Sequence, residues 1–162
     1  MVRDTSPATA ADILSQLHSE RTALQSFVTL LETEQQALVA GQAEQLLPLA
    51  ESKTLAVHAL NKLANARNSM LLVSGATAEP GGIETWLHAH ASDSLPVWHD
   101  IQKLATLSQQ LNHSNGELIQ TRLRSNQHAL TVLHKAANNA GSLYGPDVQA
   151  RLPTSGRTLG SG

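Results

Sequence analysis

The sequence predicts an all-α protein: an antiparallel helical hairpin followed by a long C-terminal helix, together a three-helix, coiled-coil-like bundle, with a short extra helix and a disordered tail. Three observations carry that prediction. Leucine, alanine, glutamine and glutamate are abundant, a palette that suits helices better than sheets. Apolar residues recur at steps of three and four over three long stretches, as one face of a helix requires. Turn-forming residues concentrate between those stretches, at Gly41, from Ser74 to Gly82, from Asp93 to Pro96, and again from Gly141 onward.

Taken in order, residues 1–8 read as a flexible N-terminal tail. A first helix is expected over 9–40, with Ala10, Ala11 and Asp12 in its first turn and Gly41 as its stop. A second is expected over 44–73. Pro48 suits its first turn, whereas a start at Ala43 predicts a kink at that proline. Ser74 to Gly82 reads as a flexible linker, and 83–91 as a short helix. Asp93 or Ser94 is placed to cap a long last helix over 96–139, roughly 65 Å in length. Residues 9–140 are thus expected to form one helical domain, and 141–162 a disordered docking tail.

The first two helices carry heptad seams. One presents Ile13, Leu17, Glu20, Leu24, Phe27, Leu31, Glu34 and Leu38; the other presents Leu46, Leu49, Lys53, Ala56, Leu60, Leu63, Arg67 and Met70. When the chain folds back at Gly41, facing residues have numbers of constant sum. Glu34 then faces Lys53, and Glu20 faces Arg67. Charges at seam positions lose their water and are costly unless paired, so this placement predicts two structural ion pairs that set the hairpin register. The alternative from spacing alone is that the four side chains lie at the seam edge and reach solvent.

Composition narrows the function. Eleven Lys and Arg stand against thirteen Asp and Glu, net -2, with no basic block, which argues against nucleic acid as a partner. The four aromatics are Phe27, Trp86, Trp98 and Tyr144, too few for an aromatic-lined pocket. There is no cysteine, so thiolate metal sites and disulfides are excluded. No run approaches the roughly 20 apolar residues of a membrane span, and the simplest compartment is the cytoplasm.

No enzyme signature is present, and no cofactor or metal is expected. The eight histidines (His18, His58, His88, His90, His99, His113, His128, His134) lack the i,i+3 or i,i+4 pairing that metal ligands on one helix need, and read as exposed polar residues. His99 with Lys103 is the nearest approach to a phosphotransfer pair, but Leu104 stands where a close-packing glycine would be needed.

The last helix is more informative. Val97, Ile101, Leu104, Leu111 and Leu118 continue a stripe that persists to Leu123, Leu130 and Leu133, longer than the hairpin helices of about 45–50 Å can cover. Ile119, Leu123, Asn126, Leu130 and Leu133 form a second line after a slip in the repeat. An uncovered apolar line is a place to bind a helix. Bundle core or a dimer seam is the alternative reading. Just beyond, Leu143 and Tyr144 interrupt a polar tail. The leucine suits the hydrophobic contact that follows a glycine cap, and the tyrosine suits an aromatic anchor for docking.

These residues resemble the FlgN family of flagellar type III export chaperones. The resemblance rests on Leu30 to Leu38 with Leu46, Leu49, Lys53 and Arg67 in the hairpin. More specifically, it rests on Asn112-His-Ser-Asn115-Gly-Glu-Leu118, Arg124-Ser-Asn126-Gln-His-Ala-Leu130-Thr-Val-Leu133, and Leu143-Tyr144-Gly145-Pro-Asp147. Val148 departs from the glycine that often follows the aspartate, and the insert around Trp86 is long and His-rich. The resemblance implies a cytoplasmic chaperone that binds the C-terminal helical segments of hook–filament junction proteins, keeps them unpolymerised and delivers them to the export gate. It also implies that Tyr144 docks on the cytoplasmic domain of a membrane export-gate protein. Other readings of the same residues are a FliT-like chaperone for another flagellar client, or a structural or signalling adaptor that self-associates through its last helix.

Overall fold

The structure is a computed structural model that describes the backbone of residues 7–143 and the side chains of residues 7–139. Four α-helices lie among the described residues: α1 (Ala10–Ala40), α2 (Ala43–Val73), α3 (Gly82–His90) and α4 (Leu95–Leu143), with a 3-10 turn at Ser92–Ser94 before α4. No strand occurs among them. The described residues divide into two units, one ending at Leu118 and the other beginning at Ile119.

In the first unit, α1 begins at a reciprocal cap. The Asp12 amide donates to Thr9 Oγ1, and the Thr9 amide donates back to Asp12 Oδ2 at 2.9 Å. That satisfies two of the donors a helix start leaves orphaned. The helix ends as the glycine predicts. Gly41 adopts φ 72°, its amide reaches Leu38 O, and the Gln42 amide reaches Ala37 O at 2.9 Å. This Schellman geometry turns the chain sharply enough for α2 to start at Ala43 and run back along α1. The helix continues through Pro48 to Val73.

All eight seam residues of α1 are buried, and all eight seam residues of α2 are half-buried. The difference follows from position. α1 is covered from two sides, by α2 and by the first half of α4, whereas α2 gives its seam to α1 and leaves Leu47, Leu55 and Leu72 exposed.

The stretch from Ser74 to Gly82 is not a flexible linker. Gly75, at φ 97°, repeats the Schellman geometry at the end of α2, with the Ala76 amide on Leu71 O at 2.9 Å and the Gly75 amide on Leu72 O. Ala76 and Leu71 are both buried in the core cluster, the apolar contact that accompanies this motif. Trp86 Nε1 donates to Ser74 O at 3.0 Å, so α3 is pinned to the chain that precedes it. Trp86, Leu87 and Ala91 then join Ile13, Leu17, Leu71, Val97, Trp98 and Ile101 in one core. The segment therefore closes the open end of the hairpin, where turn-rich composition suggested only a loop.

Gly141, read from sequence as a helix stop, does not end α4, which extends to Leu143. A single helical glycine costs on the order of 1 kcal/mol against alanine, too little by itself to end a helix. With 49 residues, α4 is about 73 Å long, against about 46 Å for each 31-residue hairpin helix. Among the described residues, no helix is long and apolar enough to cross a membrane.

Candidate functional site

Two sets of residues were singled out from sequence, the hairpin charges and the line on α4. The structure brings the first set together. Lys53 Nζ lies 3.2 Å from Glu34 Oε1, and Arg67 Nη1 donates to Glu20 Oε1. Glu20 and Glu34 are buried, and the Arg67 side chain keeps only 12% of its surface. Arg67 is held further by Trp98, whose ring centroid is 5.0 Å from the guanidinium carbon, so the α1–α2 pair is also packed against α4. Burial pushes the Glu20 carboxyl above its ordinary range, while the Arg67 guanidinium and its hydrogen bond pull it back down. Glu20 Oε2 is buried with no partner among the described residues. These pairs are poor sources of stability and good determinants of register, because a slip of the hairpin would leave buried charges alone.

Sequence reasoning missed the residue that ties α4 to this seam. Asn115 is fully buried, and its Nδ2 donates to Leu31 O and to Glu34 Oε1, each at 2.9 Å. One carboxylate oxygen thus accepts from Lys53 of α2 and Asn115 of α4 while belonging to α1. The signal was present. Val97, Ile101, Leu104, Ser108, Leu111, Asn115 and Leu118 follow alternating steps of four and three, and every one is buried or half-buried. Reading only the leucines passed over the two polar members, Ser108 and Asn115. A polar side chain in such a seam costs stability and fixes alignment.

The second unit holds the line on α4. Ile119, Leu123, Asn126, Leu130 and Leu133 are all exposed; Leu123 keeps 56% of its surface, Leu130 67% and Leu133 65%. Extending the earlier seam by the same steps leads to Arg122, Ser125, Ala129 and Val132, which are not a leucine stripe. The apolar face therefore moves round the helix by one residue, about 100°, between Leu118 and Ile119. Burial ends at the same place: every residue from 119 to 139 is exposed. Tyr144, the remaining site residue expected from sequence, lies outside the described residues, as does the rest of the tail beyond Leu143.

The eight histidines are all exposed. His99 Nε2 of α4 meets Glu84 Oε1 of α3 at 3.0 Å, and within α3 His90 stacks on Trp86 with ring centroids 4.8 Å apart. Among the described residues, no group of three His, Cys, Asp or Glu could hold a metal ion.

Set against known proteins, residues 1–151 match the family model described as FlgN protein. No curated protein and no solved structure matches the chain.

Proposed function

The chain belongs to the FlgN family, a family of flagellar export chaperones and not of enzymes, and on that premise we propose that the exposed line of α4 is where it holds its client. The clients are the hook–filament junction proteins, bound through their C-terminal helical segments. Holding those segments keeps the subunits from polymerising in the cytoplasm until they are delivered to the type III export gate.

One observation carries this reading: an in-register run of aliphatic side chains, Ile119, Leu123, Leu130 and Leu133, exposed on a single helix. Axial subunits of this kind assemble through their terminal helices, so a chaperone needs an apolar surface for a helix and no reactive group. Four aliphatic side chains at about 1.5–3 kcal/mol each, together with a like contribution from the client's own apolar stripe, outweigh an association cost of several kcal/mol by enough for micromolar binding. Asn126, in the middle of the line, can hydrogen-bond client backbone and fix its register. Tyr144 is assigned to a different partner, the cytoplasmic domain of the membrane export-gate protein, and supplies an aromatic anchor there.

The test separates the two roles. Leu130→Ala with Leu133→Ala should lower affinity for a junction protein at least tenfold and move Tm by no more than a degree or so. Tyr144→Ala should leave client capture intact and weaken association with the gate domain. A large fall in Tm in the leucine variant would make the line part of a folded core. Loss of client capture on changing Tyr144 would refute the division of labour.

A further inference from the structure

Each half of α4 sets one asparagine in its apolar line. In the first unit it is Asn115, which follows Leu111 by four residues and precedes Leu118 by three. In the second it is Asn126, which follows Leu123 by three and precedes Leu130 by four. Asn115 is covered and Asn126 is exposed. The first therefore shows what an asparagine in such a line receives once a neighbouring helix closes over it.

The answer to Asn115 comes from two residues one turn apart on α1. Its Nδ2 donates to Leu31 O and to Glu34 Oε1, each at 2.9 Å, while its Oδ1 is buried with no hydrogen-bond partner among the described residues. The backbone carbonyl and the carboxylate thus serve only the amide nitrogen. An ionised carboxylate has no proton to give the oxygen, and its charge has to be paired, here by Lys53 at 3.2 Å. A side-chain amide answers both ends of an asparagine, because it carries a donor and an acceptor together and needs no counter-ion.

Resting on the client-binding reading above, we infer that Asn126 determines specificity, and that the segment it selects is an amphipathic helix whose apolar stripe is interrupted by an asparagine or glutamine at the layer that meets Asn126. The aliphatic side chains, two on either side of Asn126, accept any helix with a complementary stripe and so give affinity with little choice. An uninterrupted stripe strips water from the Asn126 amide and returns nothing, which penalises the wrong partner. An amide in the stripe restores the lost hydrogen bonds. It also fixes alignment, since a slip of one turn sets both amides against aliphatic side chains. A bond from Asn126 to client backbone then corresponds to the one Asn115 makes to Leu31, and the client's amide takes the place of Glu34.

A lipid surface suits the line poorly. Hydrocarbon offers the Asn126 amide nothing, and between 119 and 139 there is no Trp, Tyr or Phe to anchor in an interface. A second copy of the chain, paired in parallel and in register, would present its own Asn126, and the experiment separates that case from a client.

The full chain and its Asn126→Leu variant are each titrated, by fluorescence anisotropy, with two synthetic amphipathic peptides. The peptides share one leucine stripe and differ at its central position, asparagine in one and leucine in the other. The matched combinations are the parent with the asparagine peptide and the variant with the leucine peptide. The product of their dissociation constants should be about tenfold or more below that of the mismatched combinations. Asn126→Ala, which removes the amide without adding a large apolar group, should lose the parent's discrimination with helicity unchanged. A ratio of products near one, or discrimination kept by Asn126→Ala, overturns the inference and leaves the client-binding reading standing. Binding of neither peptide by either chain overturns both. A glutamate peptide that binds the parent more tightly than the asparagine peptide would make a carboxylate the group that is read, against the inference. A dimer of the free chain that excludes both peptides would identify a second copy as the occupant and overturn it as well.

Discussion

Between Leu95 and Leu118, α4 buries Val97, Ile101, Ser108 and Asn115 and half-buries Leu104, Leu111 and Leu118; between Ile119 and Asn139 it buries nothing. The two halves share a helix, a leucine-rich face and a three–four repeat. They differ in phase, in charge and in whether a polar seam residue is answered from another helix. Asn115 meets Leu31 and Glu34. Asn126, the polar member of the later line, is exposed. Periodicity therefore reports that a face is apolar and says nothing about what covers it. The change of phase at Ile119 is the better marker, because a helix cannot keep one partner against two faces about 100° apart.

The sharpest way to break the contrast is to make equivalent changes in both halves. Ile101→Ala removes a side chain that keeps 3% of its surface and should cost about 3 kcal/mol, read as a fall in denaturation midpoint. The leucine changes in the later line should barely move that midpoint. Comparable losses in the two halves would erase the distinction.

The charged seam offers the next largest effect. Arg67→Met strands the buried Glu20 and should cost about 3 kcal/mol, whereas Glu20→Leu combined with Arg67→Met should recover most of it. The double variant should also raise the share of chains in a slipped hairpin, detectable by cross-linking engineered cysteine pairs. A double variant no better than the single one would mean that the pair stabilises in its own right.

Asn115→Ala removes two hydrogen bonds and leaves Glu34 with Lys53 alone, for a loss of about 2 kcal/mol. Hydrogen exchange should then quicken in the first half of α4, with the second half unchanged. Equal acceleration in both halves would show that Asn115 does not act locally.

The smallest effects are in pH dependence, and they oppose each other. Burial raises the Glu20 carboxyl above its ordinary 4.5, so the folded chain holds that proton to higher pH than the unfolded chain, and stability falls as pH rises through the interval above 4.5. Glu20→Gln should therefore gain on the parent as pH climbs from about 4 to 6. The Thr9 hydroxyl and amide hold Asp12 below its ordinary 3.8, so its contribution is present above that value and lost as pH falls through the lower folded one. Asp12→Asn should lose that acid-side dependence. Parallel pH profiles for either variant and the parent would remove the assigned cause.

How far residues alone could lead is clearest at particular places. The hairpin was fully legible: the glycine stop, both seams and the facing of Glu34 with Lys53 and Glu20 with Arg67 follow from helical geometry and one tight turn, which are local rules. The exposure of Leu130 and Leu133 was legible too, because the last helix read over 96–139 is longer than either helix read for the hairpin, and both leucines are exposed. The closing role of Trp86 and Trp98 was not, since the turn-rich chain before α3 looks the same whether it is free or packed. Nor was the place of Asn115, whose partners are more than 80 residues away. Local order here is written in spacing and capping, which short stretches of chain decide for themselves. The cap and the buried asparagine were settled only in three dimensions, because desolvating a polar or aromatic group is tolerable or ruinous according to which distant atoms happen to meet it.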